Sequence, residues 1–560
     1  MGIEPGSPAH AGQMVVDALV KENVEKVFIL PGSHILQFYD ALRDEPSIQI
    51  VTCKMEPNVS LMADAYGRLT GEPGVCMLTA GPGAANSLAG VAQAFGAASP
   101  MIHITGAVPL GASREAFHGV DNPEFTLEMY RNVTKWSVRV KRIEDIPSIM
   151  AKAFRISRSG RPGPVHIEFP RLSDYTPYIL QAEPAVVDAY QPEPVEVIAP
   201  SREDVDYIAR RLLNAKFPVL CAGKGVIRKR AMKELSEISE MLSIPVVYPQ
   251  DSIGVIPDDH PFAAGHFFST RSDPRFTHVM ERTDLLFSVG LRAATAETDH
   301  LEKVTSSDRI LVGLDDAEDE NYSRKDEIVA DPKLFLSALV ERLRSEAHPV
   351  NEDLKREIAR IRTEFKEAVR SHLDGSRSEK PVHPGVILET IGSVIAPDTI
   401  VISDVGNCQM WARYYLPITH SESFLQSGVW NAMSFCLPTA IVAKMVHPGR
   451  DVVGISGDGA FLMTIGDFVT ACEYGANIVM VIFNDGAFSQ MHGQQMRLYG
   501  SSYGCHFESP NFAEIAGACG ALGIRVEEPD ELEPALKKAL AANTPAIVDV
   551  VTTFHPTPPY

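Results

Sequence analysis

Residues 452–488 read VVGISGDGAFLMTIGDFVTACEYGANIVMVIFNDGAF, and two short apolar runs in this stretch each end in a polar triplet. The first run ends at Gly457-Asp458-Gly459 and the second at Asn484-Asp485-Gly486. This pattern predicts a β-α-β unit, whose parallel strands carry both triplets to the same edge of one sheet. Between the triplets, apolar residues recur at helical spacing: Phe461, Leu462, Ile465, Phe468, Val469 and Cys472.

The two triplets offer oxygen ligands and a close backbone approach at that edge. The Asp458 carboxylate, the Asn484 amide oxygen and a backbone carbonyl are hard ligands that suit Mg²⁺ or Ca²⁺ and leave room for phosphate and water. A helix that starts at Ala460 turns its free N–H groups towards an anion. A Gly-Asp-Gly triplet alone is usually a turn. The prediction of a small, anionic, metal-bound ligand therefore depends on the whole strand-helix-strand context.

Apolar, β-branched runs alternate with longer amphipathic segments along the whole chain. Continuous apolar strands between helices are typical of parallel sheets covered on both faces. The pattern predicts an α/β fold of three doubly wound parallel-sheet domains, at 8–182, 200–345 and 380–555. A proline-interrupted stretch (181–204) and a charged stretch (343–384) separate them.

Composition narrows the class of protein. The chain has 560 residues, 45% of them hydrophobic, and a formal net charge of −21. So acidic a surface repels a nucleic-acid backbone, and no apolar run reaches the roughly 20 residues of a membrane span. We therefore expect no nucleic-acid or membrane partner. The scattered cysteines and the lack of a secretory signal pattern predict a reduced, cytoplasmic protein.

The triplets resemble the diphosphate-binding signature of thiamin-diphosphate (ThDP) enzymes, in which GDG precedes an asparagine by one helix and one strand. The resemblance implies that Asp458, Asn484 and the Gly486 carbonyl hold Mg²⁺ against the diphosphate. It also implies further contacts to the cofactor from the neighbouring residues Gly457, Gly459 and Ala460.

A glutamate in the first domain fits the same family. The stretch that contains EPNVSLMADAYGRLTG (56–71) and TAGPG (79–83) resembles the acetolactate synthase and benzaldehyde lyase group. The resemblance implies that Glu56 binds N1′ of the ThDP aminopyrimidine and relays a proton there. A glutamate in the first turn of a helix is otherwise only a favourable charge. Met55 stands where this group often has histidine.

Two segments of the third domain resemble other parts of the cofactor site. SGVWNAMSFCLPTAIVAKM (427–445) resembles the segment that wedges an apolar side chain between the two ThDP rings, which places Met433 in that role. SDVGNCQMWARYY (403–415) resembles the phosphate-contacting segment, with Gly406 and Asn407 nearest the diphosphate. An ordinary core methionine is the alternative for Met433.

Three loops carry the candidate residues that select and protonate the substrate. His34 follows the first predicted strand of the sheet, and His118 lies in SREAFHGVDNPEF (113–125). An imidazole side chain can deliver or remove a proton at neutral pH, and either histidine can instead be structural. Gln494 lies near the position where acetolactate synthases usually carry a tryptophan. No tryptophan stands in this loop, and this difference weakens an assignment to a housekeeping acetolactate synthase.

The resemblance implies a ThDP- and Mg²⁺-dependent lyase or carboligase that acts on a 2-keto acid or a 2-hydroxy carbonyl compound. It also implies a homodimer or homotetramer with the active site between subunits. A 2-hydroxyacyl-CoA lyase or oxalyl-CoA decarboxylase is an alternative, for which GKGVIRKR (223–230) offers a basic patch. A non-catalytic relative is a further alternative. FAD is known in acetolactate synthases, but no residue here requires it.

Overall fold

The computed structural model describes residues 9–110, 117–170, 181–182, 190–268, 271–292, 308–314, 327–346 and 349–556. Three sheets, each with flanking helices, follow one another along the chain. This arrangement confirms the predicted α/β fold class. The predicted domain start at residue 8 and residues 183–189 of the predicted linker lie outside the described residues. The exact domain limits stay a prediction.

The first sheet has six parallel strands. Its strands are β2 (Lys26–Ile29), β3 (Gln49–Thr52), β4 (Gly74–Leu78), β5 (Met101–Ala107), β6 (Trp136–Arg139) and β7 (Pro164–Pro170), with β1 (Ala9–His10) and β8 (Gln181–Ala182) as a separate antiparallel pair. Its helices are α1 (Ala11–Lys21), α2 (Leu36–Arg43), α3 (Glu56–Thr70), α4 (Pro82–Ala97), α5 (Phe125–Arg131) and α6 (Ile146–Arg158), with a 3₁₀ turn at Ile143–Asp145. The strand order is β3-β2-β4-β5-β7-β6, and β4 and β5 are buried at every residue because helices cover both faces.

The central sheet has seven strands. They are β9 (Pro218–Ala222), β10 (Val246–Pro249), β11 (Ala263–Phe268), β12 (Arg271–Ser272), β13 (Leu285–Val289), β14 (Asp308–Gly313) and β15 (Glu327–Val329). The helices are α7 (Arg202–Asn214), α8 (Lys224–Arg228), α9 (Met232–Leu242), α10 (Pro274–Met280) and α11 (Pro332–Leu343), with 3₁₀ turns at Gln250–Ser252 and Arg344–Glu346. The order is β12-β11-β10-β9-β13-β14-β15, and among these described strands only the short edge strand β12 runs antiparallel.

The third sheet has six parallel strands and follows the long helix α12 (Glu352–Ser371). Its strands are β16 (Ile400–Ser403), β17 (Phe424–Gln426), β18 (Val452–Gly457), β19 (Val479–Asn484), β20 (Leu522–Val526) and β21 (Ala546–Val551). Its helices are α13 (Pro384–Val394), α14 (Asn407–Tyr415), α15 (Cys436–Val446), α16 (Asp458–Leu462), α17 (Phe468–Glu473), α18 (Ser489–Tyr499), α19 (Phe512–Ala518) and α20 (Pro529–Leu540), with a 3₁₀ turn at Ile465–Asp467. The strand order is β17-β16-β18-β19-β21-β20.

Helices α3 and α15 join the first and third sheets. They pack against each other, and a single hydrophobic cluster contains Met62 and Ala63 from α3 with Leu437 and Ile441 from α15. The cofactor segments predicted in the two outer domains are therefore fixed relative to each other within one chain. In the part of the chain that the structure describes, no helix is both long and apolar enough to cross a lipid bilayer.

Candidate active site

The two polar triplets lie side by side at the edge of the third sheet. Strands β18 and β19 are parallel neighbours whose register pairs Gly457 with Phe483. Asp458 is the first residue of α16, and Asn484 is the last residue of β19. The geometry agrees with the β-α-β unit expected from residues 452–488.

Asp458 connects the two triplets through its carboxylate. The side chain is 1% exposed. Its Oδ1 accepts a hydrogen bond from the Gly459 N–H (2.7 Å), and its Oδ2 accepts one from the Gly486 N–H (2.8 Å). Burial raises the pKa of Asp458, and these N–H donors act in the opposite direction. Each oxygen keeps a further lone pair, so the carboxylate can still coordinate a cation.

Asn484 is held by its amide nitrogen. The Nδ2 donates to the Pro510 carbonyl (3.1 Å) and to Asp549 Oδ1 (2.9 Å). Asp549 is fixed in turn by the Phe512 N–H (2.9 Å) and by Arg525 Nη1 (2.5 Å). Because both amide hydrogens are committed to the protein, the amide oxygen is the atom that Asn484 offers to a cation.

Gly486 completes the candidate set of metal ligands. Its φ of +63° lies in the left-handed region, which favours glycine. Its carbonyl accepts a hydrogen bond from the Phe507 N–H (2.9 Å), which leaves one lone pair for a cation. The three predicted ligands Asp458, Asn484 and Gly486 thus meet at one edge and offer oxygen atoms only. That donor set fits Mg²⁺.

A cavity of about 560 Å³ opens beside this edge, within the usual range of small-molecule sites. A Cβ on Gly459 would lie 2.7 Å from Phe488 Cε1, so a larger residue would alter the wall at that point. Gly406 has a φ of +141°, which also favours glycine. The predicted cofactor-binding residues that line the cavity are Gly406, Asn407, Met433, Gly457, Asp458, Gly459 and Ala460. These features fit an anionic, metal-bound cofactor.

Helix α18 forms another part of the cavity wall. Of its two adjacent glutamines, Gln495 lines the cavity and the predicted Gln494 does not. Gln495 lines the cavity, and its Oε1 accepts a hydrogen bond from the Tyr503 N–H (2.7 Å). Gln490 and Met491, one turn earlier, line it as well. The predicted Gln494 is exposed and is not part of this wall. One residue along a helix changes the facing direction by about 100°.

Asp404 is not among the predicted site residues, although it lies in segment 403–415 and organises this part of the site. It is 1% exposed and lies just after β16. Its carboxylate accepts hydrogen bonds from the N–H groups of Val405 (2.8 Å), Ser434 (2.8 Å) and Cys436 (3.3 Å) and from the Ser456 hydroxyl (3.0 Å). Burial raises the pKa of Asp404 to about 6, against the effect of these donors. The sequence signal that could have identified Asp404 is its position at the end of a predicted strand, in the SDVG stretch.

Glu56 begins α3 and is partly buried. Asn86 Nδ2 donates a hydrogen bond to Glu56 Oε2 (3.3 Å). The turn before α3 is tied to the third domain, since the Lys54 N–H donates to Asp467 Oδ1 (2.8 Å) and the Asn58 amide also donates to Asp467. The third domain of the same chain therefore positions the start of α3. Nothing in the sequence indicated this role of Asp467.

His34 and His118 form one aromatic cluster with Phe117. The rings of His34 and His118 stack with centroids 5.0 Å apart, and His34 Nδ1 lies 3.2 Å from Thr79 Oγ1. His118 Nδ1 lies 3.2 Å from the Ala80 carbonyl, which can only accept, so Nδ1 is the nitrogen that donates this hydrogen bond. The predicted pair is thus brought together. Residues 113–116 of the same loop lie outside the described residues.

The tight fit of this loop explains one glycine in TAGPG. Gly81 has a φ of +62°, and a Cβ there would lie 2.4 Å from the His118 carbonyl oxygen. The glycine thus allows the His118 loop to approach the start of α4. Glu56, His34 and His118 do not line the 560 Å³ cavity, whose described wall lies entirely within residues 384–552.

Comparison with known proteins agrees with this architecture. Three sequence families match successive parts of the chain. They are the N-terminal TPP binding domain of thiamine pyrophosphate enzymes (residues 9–125), their central domain (205–339) and their C-terminal TPP binding domain (404–550). The chain therefore has the domain set of a thiamine pyrophosphate enzyme.

Relatives that match over most of their length narrow the class of thiamine pyrophosphate enzyme. The chain is 32% identical to a probable acetolactate synthase large subunit of Methanocaldococcus jannaschii, over 96% of this chain and 91% of the relative. It is 31% identical to the acetolactate synthase isozyme 3 large subunit of Escherichia coli K12, over 94% and 92% respectively. The chain belongs to the acetolactate synthase superfamily of ThDP-dependent enzymes, as the sequence motifs predicted.

Proposed function

We propose that this enzyme uses ThDP and Mg²⁺ to break or form a carbon–carbon bond beside a carbonyl group, with a 2-keto acid or a 2-hydroxy carbonyl compound as substrate. The observation that carries the proposal is the oxygen-only set of Asp458, Asn484 and Gly486, next to a cavity that Met433 also lines. The coarser assignment as an acetolactate synthase-like ThDP enzyme is already given by the relatives.

The residues of this chain have separable roles in the proposal. Asp458, Asn484 and the Gly486 carbonyl would hold Mg²⁺, and Met433 would support the bent cofactor. Other wall residues would contact the diphosphate: Gly406, Asn407, Gly457, Gly459 and Ala460. When bound, ThDP supplies an acyl-anion equivalent, which none of the protein's side chains can provide.

Proton handling falls to the first domain. Glu56 would hold a proton at N1′ of the aminopyrimidine. Nε2 of His118, whose ring stacks on that of His34, would exchange a proton with the substrate oxygen. Gln495 is better placed than the sequence-predicted Gln494 to contact the substrate in the same chain's cavity.

We infer that the active unit is a homodimer or homotetramer, in which Glu56 of one copy faces the cavity of another. Within one chain, no described residue of the first domain lines the cavity. Large apolar side chains are also exposed near both halves of the site: Met55 (40%), Phe117 (55%), Trp430 (54%) and Met433 (40%). Exposed apolar groups of this kind favour an interface.

The proposal is tested by Glu56→Gln, which keeps the size and the Asn86 contact but cannot take up or release the proton. We expect kcat to fall at least about 100-fold, which is at the lower end of what general acid–base groups contribute, while ThDP still binds. Isothermal titration of ThDP and product formation are the two measurements. Unchanged turnover would contradict the assignment of Glu56.

The reaction class is tested by incubation of the ThDP- and Mg²⁺-loaded enzyme with keto acids, aldehydes and 2-hydroxy ketones, followed by product NMR and CO₂ detection. We expect either decarboxylation or a new C–C bond with at least one of these compounds. A separate incubation with 2-hydroxyacyl-CoA and oxalyl-CoA tests the alternative, which reaction with these esters alone would support.

One observation favours that CoA-dependent alternative. A small cavity beside α8 is lined by several basic side chains, Arg161, Lys224, Arg228, Lys229 and Arg292, and by glycines that allow close approach. Lys224 and Lys229 are, however, already paired with Asp251 (2.9 Å) and Asp331 (3.2 Å). The volume of this cavity is about 50 Å³, so the cavity itself is too small to hold CoA or FAD.

A further inference from the structure

The C-terminal segment after β21 lies beside the start of α13, behind the cavity wall. Thr552 pairs with Val382 in a parallel bridge, and the Val382 N–H donates to the Val551 carbonyl (3.0 Å). This pairing brings His555 next to the residues that precede α13. Two residues flanking the region, Pro384 and Thr552, line the 560 Å³ cavity.

Three potential metal ligands meet at this point. One ring nitrogen each of His383 and His555 and one carboxylate oxygen of Glu379 lie within 4.8 Å of one another. His555 Nε2 is 3.5 Å from Glu379 Oε2, and the two imidazole centroids are 4.1 Å apart. Two ligands bonded to one tetrahedral Zn²⁺ at about 2.0–2.1 Å lie about 3.4 Å apart. The Glu379–His555 pair already has that separation.

An ordinary ion pair does not account for this cluster. His555 Nε2 is buried and makes no hydrogen bond with any described residue, which is unusual for a native polar atom. An unpartnered imidazole nitrogen beside a second imidazole and a carboxylate is a typical coordination position for a divalent cation.

The third ligand, His383, must exchange one contact to join the site. Its Nδ1 accepts the Gly385 N–H (3.1 Å) and caps α13. Coordination through His383 shifts or replaces this cap, so the cation competes with a single hydrogen bond. The side chain is only 3% exposed, which keeps the exchange away from bulk water.

We propose that Glu379, His383 and His555 form a second metal site, which takes Zn²⁺ or a similar late first-row divalent cation with a water as the remaining ligand. Two imidazole nitrogens and one carboxylate select such a cation over Mg²⁺, which prefers oxygen ligands. This site is chemically different from the oxygen-only set at Asp458, and its existence does not depend on the proposed reaction.

The metal would fix the C-terminal segment against the cavity wall. Phe554, next to His555, packs on the His492 ring with centroids 4.9 Å apart. A Cβ on Gly493 would lie 2.7 Å from Phe554 Cζ, so the ring lies directly on α18. Because α18 also presents Gln495 to the cavity, a clamped segment holds the wall that contacts the substrate.

The test uses the full-length protein, stripped of transition metals and then saturated with ThDP and Mg²⁺ to occupy the oxygen-only site. Co²⁺ is titrated as a spectroscopic probe, and Zn²⁺ by calorimetry. We expect one equivalent per chain and the visible absorption of four-coordinate Co²⁺. Absence of a transition-metal equivalent, or an octahedral Co²⁺ spectrum, overturns the proposal.

Substitutions of the three proposed ligands test where Zn²⁺ binds. His555→Gln, Glu379→Gln and His383→Asn should each weaken Zn²⁺ binding at least about 100-fold, and Asn at 383 still caps a helix. Two control variants should keep the wild-type affinity for Zn²⁺. His278→Gln changes a histidine whose one carboxylate contact among the described residues is Glu357 (3.0 Å), and Asp458→Asn changes the oxygen-only site.

A second readout covers the case in which His383→Asn unfolds. Zn²⁺ should slow amide hydrogen exchange in residues 489–499 and 552–556 of the wild type but not of His555→Gln. Equal affinity in wild type and His555→Gln, or Zn²⁺ protection that persists in that variant, contradicts the assignment.

Discussion

Asp404 gathers four donors from separate points of the chain, and two of these donors belong to residues that follow Met433 by one and three positions. Its carboxylate therefore sets the path of the backbone that carries the proposed wedge. Charge-assisted hydrogen bonds of this kind are stronger than neutral ones, and their removal inside a protein leaves unpaired donors. Asp404 therefore acts on the proposed cofactor site through its neighbours.

Replacing this carboxylate by an amide should destabilise the protein. In Asp404→Asn, one acceptor oxygen and two new N–H donors face four donors, so we expect the free energy of unfolding to fall by about 2–4 kcal/mol. Ser456→Ala removes only one donor and should cost about 1 kcal/mol. Urea unfolding measures both. A loss in Asp404→Asn no larger than that in Ser456→Ala would show that the other three bonds contribute little.

The two adjacent glutamines of α18 give a second residue-scale prediction. Gln495 lines the cavity, whereas Gln494 is exposed. We therefore expect Gln495→Ala to lower kcat/KM for the preferred substrate about tenfold, equivalent to about 1.4 kcal/mol. Gln494→Ala serves as the matched control and should stay within about twofold. Steady-state kinetics decides between them. The reverse ranking would support Gln494, the residue predicted from the sequence.

At the scale of elements, strand β5 carries a buried histidine that makes the first domain sensitive to acid. His103 Nδ1 lies 3.1 Å from Cys76 Sγ, and its Nε2 lies 2.9 Å from the Tyr130 hydroxyl. Burial lowers the pKa of His103 from 6.5 to about 3. The neutral ring is therefore part of the packing between β5 and its neighbours.

The sign of the pH effect follows from this lowered pKa. Below pH 6.5 the unfolded chain binds a proton that folded His103 does not, so the contribution to stability falls as the pH drops towards 3. Between pH 7 and pH 5 we expect a loss of about 2 kcal/mol from this group. Urea unfolding at both pH values should show a correspondingly smaller difference in His103→Gln. An unchanged difference would contradict the prediction, and exposed His420→Gln is the control.

The β-α-β unit at residues 452–488 could be predicted because its strands are uniformly apolar and end in glycine-flanked polar residues. The same reasoning could not find the partners of those residues. Asp549 orients Asn484 across a distance of 65 residues, and Asp467 holds the turn before Glu56 from another domain. Strands β11 and β15 also escaped the pattern, since one contains glycine and histidine and the other is three residues long. Long-range contacts and helix facing leave no local period in the sequence.

At the scale of the whole molecule, the separation of Glu56 from the cavity has a consequence that mixing experiments can measure. If each active site takes Glu56 from one copy and Asp458 from the other, either single variant, Glu56→Gln or Asp458→Asn, should be inactive as a homodimer. A mixed dimer, however, contains one site with both substitutions and one site with neither. Activity should therefore reappear only when both variants are present in the same cell.

Random pairing of equal amounts gives about half mixed dimers, each with one of two sites intact, so about a quarter of wild-type activity is expected. Co-expression with two different affinity tags isolates the mixed species, whose activity should be about half that of wild type. The two purified homodimers, combined without exchange of subunits, are the control. Because a site built within one chain cannot be restored in this way, failure of purified mixed dimers to recover activity would exclude the shared site and return Glu56 to the cavity of its own chain.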